Sequence, residues 1–498
     1  MRRHRWSRAV RVAAAALAIG PLALLSGEAF AQEAPTWWQF QGGPGHFGVL
    51  ADGPEPPYRV RWTLPAPAGD ALSGAVVAGD LAVSVGTEAV YGIDVVSGAI
   101  EWQVARGGGP LSMPAIGAGP RGRILVYLEG PGPSDVGGAS EGSPSPSASA
   151  TPSASPSTTT GPGPSLTGPE KEPDISTLVA VSLADRTELW RTPLEVISRS
   201  GVTIEGTNAF VGDQGGTVYA VSLESGSITW SAEMEGLVDS PVAVARNTDP
   251  AQVVVAAFDE ATGERSWPAL AIQANSTAGT APSAGGGGSV FIGSADRRVR
   301  ALDAKGGSER WATLVLSLFS PVTSLAFDDE SVFAADIAGG LYRLDAADGK
   351  RRWSYQQNEV VLRSSPVVSG SSLLLGLSDG RLVALDTASG HLVWQSAPSP
   401  GLVGTIELAS DEVLAVMGGR EAGLIAFEHD PDGEIVDIPS PTELDAGTTV
   451  TRWTLAALIV FAIAFVPGMW ANRRWGTAAE IQTGDDELDR DPEREEAP

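Results

Sequence analysis

Ala384-Leu385-Asp386-Thr387-Ala388-Ser389-Gly390-His391-Leu392-Val393-Trp394 decides the fold. An alternating, strand-like run ends in an Asp. A Gly follows four residues later and a Trp eight residues later. The frame recurs at Asp94-Gly98-Trp102, Asp259-Gly263-Trp267, Asp303-Gly307-Trp311 and Asp345-Gly349-Trp353. Ser replaces Asp in Ser222-Gly226-Trp230 and Ser182-Trp190, where Arg186 also stands for the Gly. The Asp or Ser can accept backbone N–H bonds in a turn, and the Gly permits a positive φ there. The Trp, on the next strand, can lie between packed sheets and donate its indole N–H. Seven copies of one motif cannot be seven active sites, so these residues read as structural.

Spacing sets the architecture. The Trp residues stand at 102, 190, 230, 267, 311, 353 and 394. All gaps are close to 41 residues except the first, which is longer by about 47. The excess coincides with 129–174, a Ser/Pro/Thr-rich stretch containing SPSPSASATPSASPSTTTGPGPS, expected to be a disordered insert. A period of about 41 with several short strands per repeat is that of a β-propeller blade. Trp62 lies one period before Trp102, and Leu424-Ile425-Ala426-Phe427-Glu428 begins a last repeat that lacks its own Trp. The strand around Trp62 is therefore expected to complete the last blade and close the ring; Glu434–Asp437 is the rival for that place. The expectation is an all-β, eight-bladed propeller, with seven blades as the alternative.

Composition agrees. The 498 residues include 60 Gly and 36 Pro, too many for a mainly helical protein. Cys is 0, which excludes a disulfide-stapled module and thiol chemistry. The net charge of -27 repels phosphate backbones, so nucleic acid is excluded as a partner. Arg2 to Arg11, the apolar run Val12–Leu25 and Ala29-Phe30-Ala31 read as a signal peptide over 1–31. Residues 32–450 form the expected ectodomain. Trp453–Ala471 is an uncharged apolar run, long enough for one transmembrane helix. Arg473-Arg474 then orient an acidic tail, 472–498, into the cytoplasm. The expected placement is a single-pass type I protein of the cell membrane, with the propeller outside.

These repeats resemble the pyrroloquinoline quinone (PQQ)-like propeller repeat, with its Ala-x-Asp-x-x-x-Gly-x-x-x-Trp core. Ala301-Leu302-Asp303…Gly307…Trp311 and Ala384-Leu385-Asp386…Gly390…Trp394 fit it closely. The segment Trp37-Trp38-Gln39-Phe40-Gln41-Gly42-Gly43-Pro44-Gly45-His46-Phe47-Gly48 resembles the opening of many such propellers. The resemblance implies either of two activities. Some members are quinone-dependent dehydrogenases, which hold PQQ and calcium in the central channel with a Glu, an Asn and an Asp, and in many cases a vicinal Cys pair. Others are non-catalytic scaffolds. This chain has no Cys, and no Glu/Asn/Asp set can be matched to positions in it. Among its four His residues, His4, His46, His391 and His429, no metal-ligand spacing appears. The leading expectation is therefore a scaffold without catalytic residues, metal or cofactor, binding a protein or envelope polymer. The alternatives are a PQQ- and calcium-dependent oxidoreductase, or a surface receptor with a cytoplasmic tail.

Overall fold

The computed structural model describes residues 37–438, except 131–174, 246–251, 266–280, 316–321 and shorter breaks of up to three residues. Strands are the dominant element, grouped in eight sheets, numbered here in chain order by their innermost strands. These are Leu72–Ala78, Ala115–Gly119, Thr203–Glu205, Ala243–Ala245, Ser283–Gly285, Val322–Phe327, Val367–Ser369 and Leu402–Leu408. Each sheet runs outward from its innermost strand by antiparallel neighbours. The fold is an all-β propeller. Seven sheets have at least four strands, which is the alternative count of complete blades; sheet 4 has three among the described residues.

The sequence pattern explains the layering. Inner strands lie between two neighbouring sheets, so both faces are covered. Leu72–Ala78 and Ser372–Gly376 are buried at every position. Outer strands have one covered face, and in Ile100–Ala105 and Ile228–Glu233 exposed and partly covered residues alternate. Apolar clusters fill the spaces between sheets. One contains Val76, Val83 and Val90 of sheet 1 with Ile116, Leu125 and Val179 of sheet 2.

The ring is closed by the two ends of the propeller sequence. Tyr58–Pro65, which carries Trp62, pairs antiparallel with Gly423–His429 as the outer strand of sheet 8. Arg61 Nη1 binds Glu412 Oε1 at 2.7 Å and Glu428 Oε2 at 3.1 Å, and Arg59 Nε binds Glu428 Oε1 at 2.7 Å. The innermost strand of sheet 8 then packs beside that of sheet 1. The rival segment Glu434–Asp437 takes a different place. It runs along the outer strand of sheet 7, where Val436 N donates to Val393 O and Ile438 N to Leu392 O, each at 3.0 Å. Asp437 Oδ1 meets His391 Nδ1 at 2.6 Å.

The expected signal peptide (1–31), transmembrane helix (453–471) and acidic tail (472–498) lie outside the described residues. So does nearly all of the insert. Its first expected residue, Glu129, instead ends a strand of sheet 2 and pairs with Thr177 at the start of the next. Buried Arg106 donates to Leu128 O at 2.7 and 3.1 Å and to Gly86 O at 2.9 Å, fixing this root to sheet 1.

Because the chain leaves and re-enters at paired residues, deletion of 134–169 should leave the fold intact. Loop-closure entropy changes by only about 0.6 kcal/mol per doubling of length. Thermal melting of the deletion within a few degrees of the intact protein is the expected result; loss of the cooperative transition would show that the insert supports the ring.

Candidate functional site: inter-blade seams and the inner ring

The repeated motif joins each sheet to the next. Asp94 Oδ1 accepts the Ser97 N–H at 2.7 Å, Asp345 Oδ1 that of Ala347 at 2.9 Å, and Asp386 Oδ1 that of Ser389 at 2.7 Å. Asp303 Oδ1 accepts the Gly306 N–H at 2.9 Å, and its Oδ2 binds Arg310 Nη2 at 2.6 Å. The Arg310 guanidinium holds Asp303 below the usual carboxylate range; Arg352 does the same for Asp345, and the Ser97 hydroxyl for Asp94. The turn closes through the Gly N–H: Gly307 to Asp303 O at 2.7 Å, and Gly98 to Asp94 O, Gly349 to Asp345 O and Gly390 to Asp386 O, each at 2.8 Å. The motif glycines all have φ between 70° and 74°.

The Trp of one sheet lies on the turn glycine of the next. A Cβ on Gly98 would come within 2.5 Å of the Trp62 ring, on Gly226 within 2.7 Å of Trp190, and on Gly263 within 2.7 Å of Trp230. The same holds for Gly349 against Trp311 at 2.5 Å and Gly390 against Trp353 at 2.6 Å. The glycine is thus required twice, for its positive φ and for the ring above it. The indole N–H reaches the carbonyl just after the motif Asp or Ser. Trp62 donates to Val95 O at 2.7 Å, Trp190 to Leu223 O at 2.9 Å, Trp311 to Ala346 O at 3.0 Å and Trp353 to Thr387 O at 2.8 Å.

Two seams depart from this rule. Trp102 faces the turn in which Arg186 replaces Gly. Arg186 keeps the left-handed backbone, with φ 64°, and its guanidinium lies 5.7 Å from the Trp102 ring centroid. Trp102 lies over Gly92, and its buried indole N–H has no hydrogen-bond partner. Trp394 meets sheet 8, where the turn is replaced by two chain ends. It packs edge-on against Tyr58 at 5.1 Å and Phe427 at 6.0 Å. Trp267 lies outside the described residues. Asp259 ends the outermost described strand of sheet 4.

A second constellation was not read from the repeats. Residues 37–48 follow the innermost strands and bond to seven sheets in order. Trp37 exchanges N–H···O bonds with Val77 of sheet 1 at 3.2 and 2.7 Å, and Ile116 N of sheet 2 donates to Trp38 O at 2.8 Å. The Gln39 amide accepts from Ile204 N of sheet 3 at 2.7 Å and donates to Ile204 O at 3.0 Å. Val244 N of sheet 4 donates to Pro44 O at 2.7 Å, Ala284 N of sheet 5 to Gly45 O at 2.8 Å and Phe327 N of sheet 6 to Phe47 O at 2.7 Å. Val368 N of sheet 7 donates to Gly48 O at 2.7 Å, and Val49–Leu50 then pairs parallel with Val368 and Ser369. His46 is fully buried in this ring. Its Nδ1 lies 3.0 Å from Pro282 O and its Nε2 3.3 Å from Thr203 Oγ1. Burial lowers its pKa to about 4, so it is neutral at physiological pH. The available signal was the density of small residues in Gly42-Gly43-Pro44-Gly45, which lets backbone approach backbone.

A second Asp set also went unread. Asp213 accepts Thr217 N and Tyr219 Oη, each at 2.8 Å; Asp336 accepts Gly340 N and Tyr342 Oη, each at 2.9 Å. Both are fully buried and cap the hairpin between the second and third strands. The repeat Asp-x-x-Gly-x-x-Tyr at 213–219 and 336–342 was the signal. Among the described residues no group of three or more His, Asp or Glu is placed to hold a metal ion. A surface cleft of about 620 Å³ between sheets 6 and 7 is lined by Asp329, Glu330, Arg343, Asp345 and Arg352. Arg343 is committed there to Ser331 Oγ at 2.8 Å and Thr387 O at 3.0 Å.

The seams and the inner ring define a PQQ-like repeat β-propeller. The chain belongs to the family described as outer membrane protein assembly factor BamB, whose model matches residues 175–249 and 250–428, just over half of the chain. The Yersinia pestis outer membrane protein assembly factor BamB is 31% identical over 155 residues, which are 28% of this chain and 38% of that protein. The Moranella endobia protein of the same name is 25% identical over 280 residues, 50% of this chain and 69% of that protein. The first of these matches thus spans well under half of the relative's own length. The crystal structure of the computationally designed Ika8 protein shares the fold, with a TM-score of 0.50 and 13% identity over 73% of this chain and 98% of that one.

The single-pass type I placement at the cell membrane is corrected by these findings. Among the described residues no helix is long and apolar enough to cross a membrane. The Yersinia pestis and Moranella endobia relatives carry the name of an outer membrane protein assembly factor. A 19-residue apolar run met the length criterion for a span, but length and hydropathy alone do not assign a membrane or an anchor.

Truncation of Trp311 to Ala should destabilise by about 3–5 kcal/mol, as for other buried aromatic side chains. Gly390→Ala should also destabilise, by about 1–2 kcal/mol for the left-handed backbone and by more for the displaced Trp353 ring. Arg186→Gly should stay within about 1 kcal/mol of wild type, since relief of the backbone opposes loss of the cation–π contact. Denaturant titration of the three variants checks this; equal losses at Gly390 and Arg186 would contradict the seam geometry.

Proposed function

We propose that the chain is a non-catalytic, protein-binding scaffold that serves the assembly of proteins in the cell envelope. The observation that carries this reading is the inner ring. Residues 37–48 bond to the innermost strands of seven sheets, so the channel wall, where a propeller enzyme keeps its cofactor, is used to hold the ring rigid. The motif side chains are likewise spent on turns and seams. What the fold offers outward is a rigid set of loops and outer strands, with Leu189, Ile228 and Leu314 exposed. The family membership supports the same reading, since its model and its relatives carry the name of an assembly factor. The partner in this reading is a protein of the envelope assembly machinery.

PQQ and calcium have no part in the proposal. The absence of a Cys pair and of a matched Glu/Asn/Asp set supports leaving them out.

Photo-crosslinking groups placed at Leu189 and Leu314 in native membranes should trap one discrete envelope-assembly protein. No adduct from either position would overturn the scaffold reading. Titration with PQQ and calcium should leave the quinone absorbance unchanged and give no dye reduction with alcohols or sugars; a stoichiometric complex with turnover would establish the oxidoreductase instead.

A further inference from the structure

Glu407 is the one ionisable side chain on the innermost strand of sheet 8, Leu402–Leu408. It is 1% exposed, and its carboxyl oxygens make no well-formed hydrogen bond to the polar groups beside them, the Thr405 hydroxyl and the Ala75 backbone. Thr405 Oγ1, two residues earlier, is buried and unpartnered as well. The carboxyl points at sheet 1: a Cβ on Gly74 would come within 2.8 Å of Glu407 Oε1, and the Met113 thioether closes over the same glycine. Glu407 therefore fills a notch where the last sheet meets the first. Sheet 8 draws its outer strand from the other end of the chain, so this junction holds the ring shut.

The surroundings provide no counter-charge. The packed elements Leu72–Ala78, Val367–Ser369, Ser372–Gly376 and Phe40–Gly42 carry no ionisable residue. Glu412–Gly418 carries only Glu412, two residues from Leu414, the strand partner of Glu407, and its carboxylate is engaged by Arg61 at 2.7 Å. His46, in the segment after Phe40–Gly42, is neutral and tied to Pro282 and Thr203. Arg106, in the loop leading to Met113, is tied to Leu128 and Gly86.

We propose that Glu407 is carried as the neutral acid and acts as a pH-sensitive latch, whose ionisation loosens the junction between the last sheet and the first. Burial raises its pKa to about 8. An unfolded chain releases that proton near pH 4.3. Between these values the folded protein holds a proton that the unfolded one has lost, so rising pH favours unfolding by up to about tenfold per unit. The contribution is whole below about pH 4 and is lost as pH rises through about 8.

The test uses the full chain, whose lack of Cys allows single thiols to be placed. Ala82→Cys lies in the apolar cluster that sheet 1 shares with sheets 7 and 8, and Ala209→Cys in that of sheets 2 and 3. Labelling of the first relative to the second should rise at least tenfold between pH 6 and 9. The ratio in each corrects for thiol ionisation. Glu407→Gln should flatten that rise and the pH dependence of the unfolding midpoint, and Glu407→Leu should do the same if the Gln variant fails to fold. Equal labelling at both sites, or the same pH profile with and without the carboxyl, would overturn the latch.

Discussion

Every sheet in a closed ring of blades has an inner edge, and the N–H groups on that edge need acceptors. Water in a narrow channel can supply them, as can protein. Here one segment of a dozen residues supplies a carbonyl or an amide to seven sheets in turn. Few side chains fit so close to the axis, which accounts for Gly42, Gly43, Pro44 and Gly45. His46 is admitted only as a neutral ring with both nitrogens placed. The register of the whole ring follows from this strap, because each sheet is fixed to its own residue.

The seams answer the complementary need at the outer edge. A Trp ring covers the tight turn of the next sheet, and its N–H satisfies a carbonyl that the turn leaves over. Where the chain substitutes Arg for Gly, the backbone keeps its conformation and the guanidinium stacks on the ring, but the indole N–H is left without a partner. The fold tolerates one such defect because the remaining seams are not altered by it.

Much of this was legible in residues. The Asp–Gly–Trp frame identified the repeat, the period identified the blade, and Trp62 identified the closing strand. Those signals are local and repeated, so each copy confirmed the others. The strap was illegible because its contacts are non-local and made by backbone, which carries no sequence code. Its Gly-rich run showed only that close approach was possible. Glu407 was illegible for another reason. A single acidic residue in an alternating strand reads as solvent-facing, and only the notch at Gly74 shows it to be buried. Glu434–Asp437 was placed near the right edge in kind but on the neighbouring sheet, since a short strand can pair with any free edge within reach.

The strap has a consequence for the order of events during synthesis. The residues that bind seven of the eight inner edges precede every inner strand in the sequence, so they emerge from the ribosome before any edge exists to receive them. The last of them is not satisfied until the strand ending at Ser369 has been made, and sheet 8 needs the chain as far as His429. Contacts of such long sequence separation form slowly and late. A nascent chain interrupted anywhere before that point carries a free, sticky leader and an open ring, which makes completion of the last repeat the event that commits the molecule to its native state.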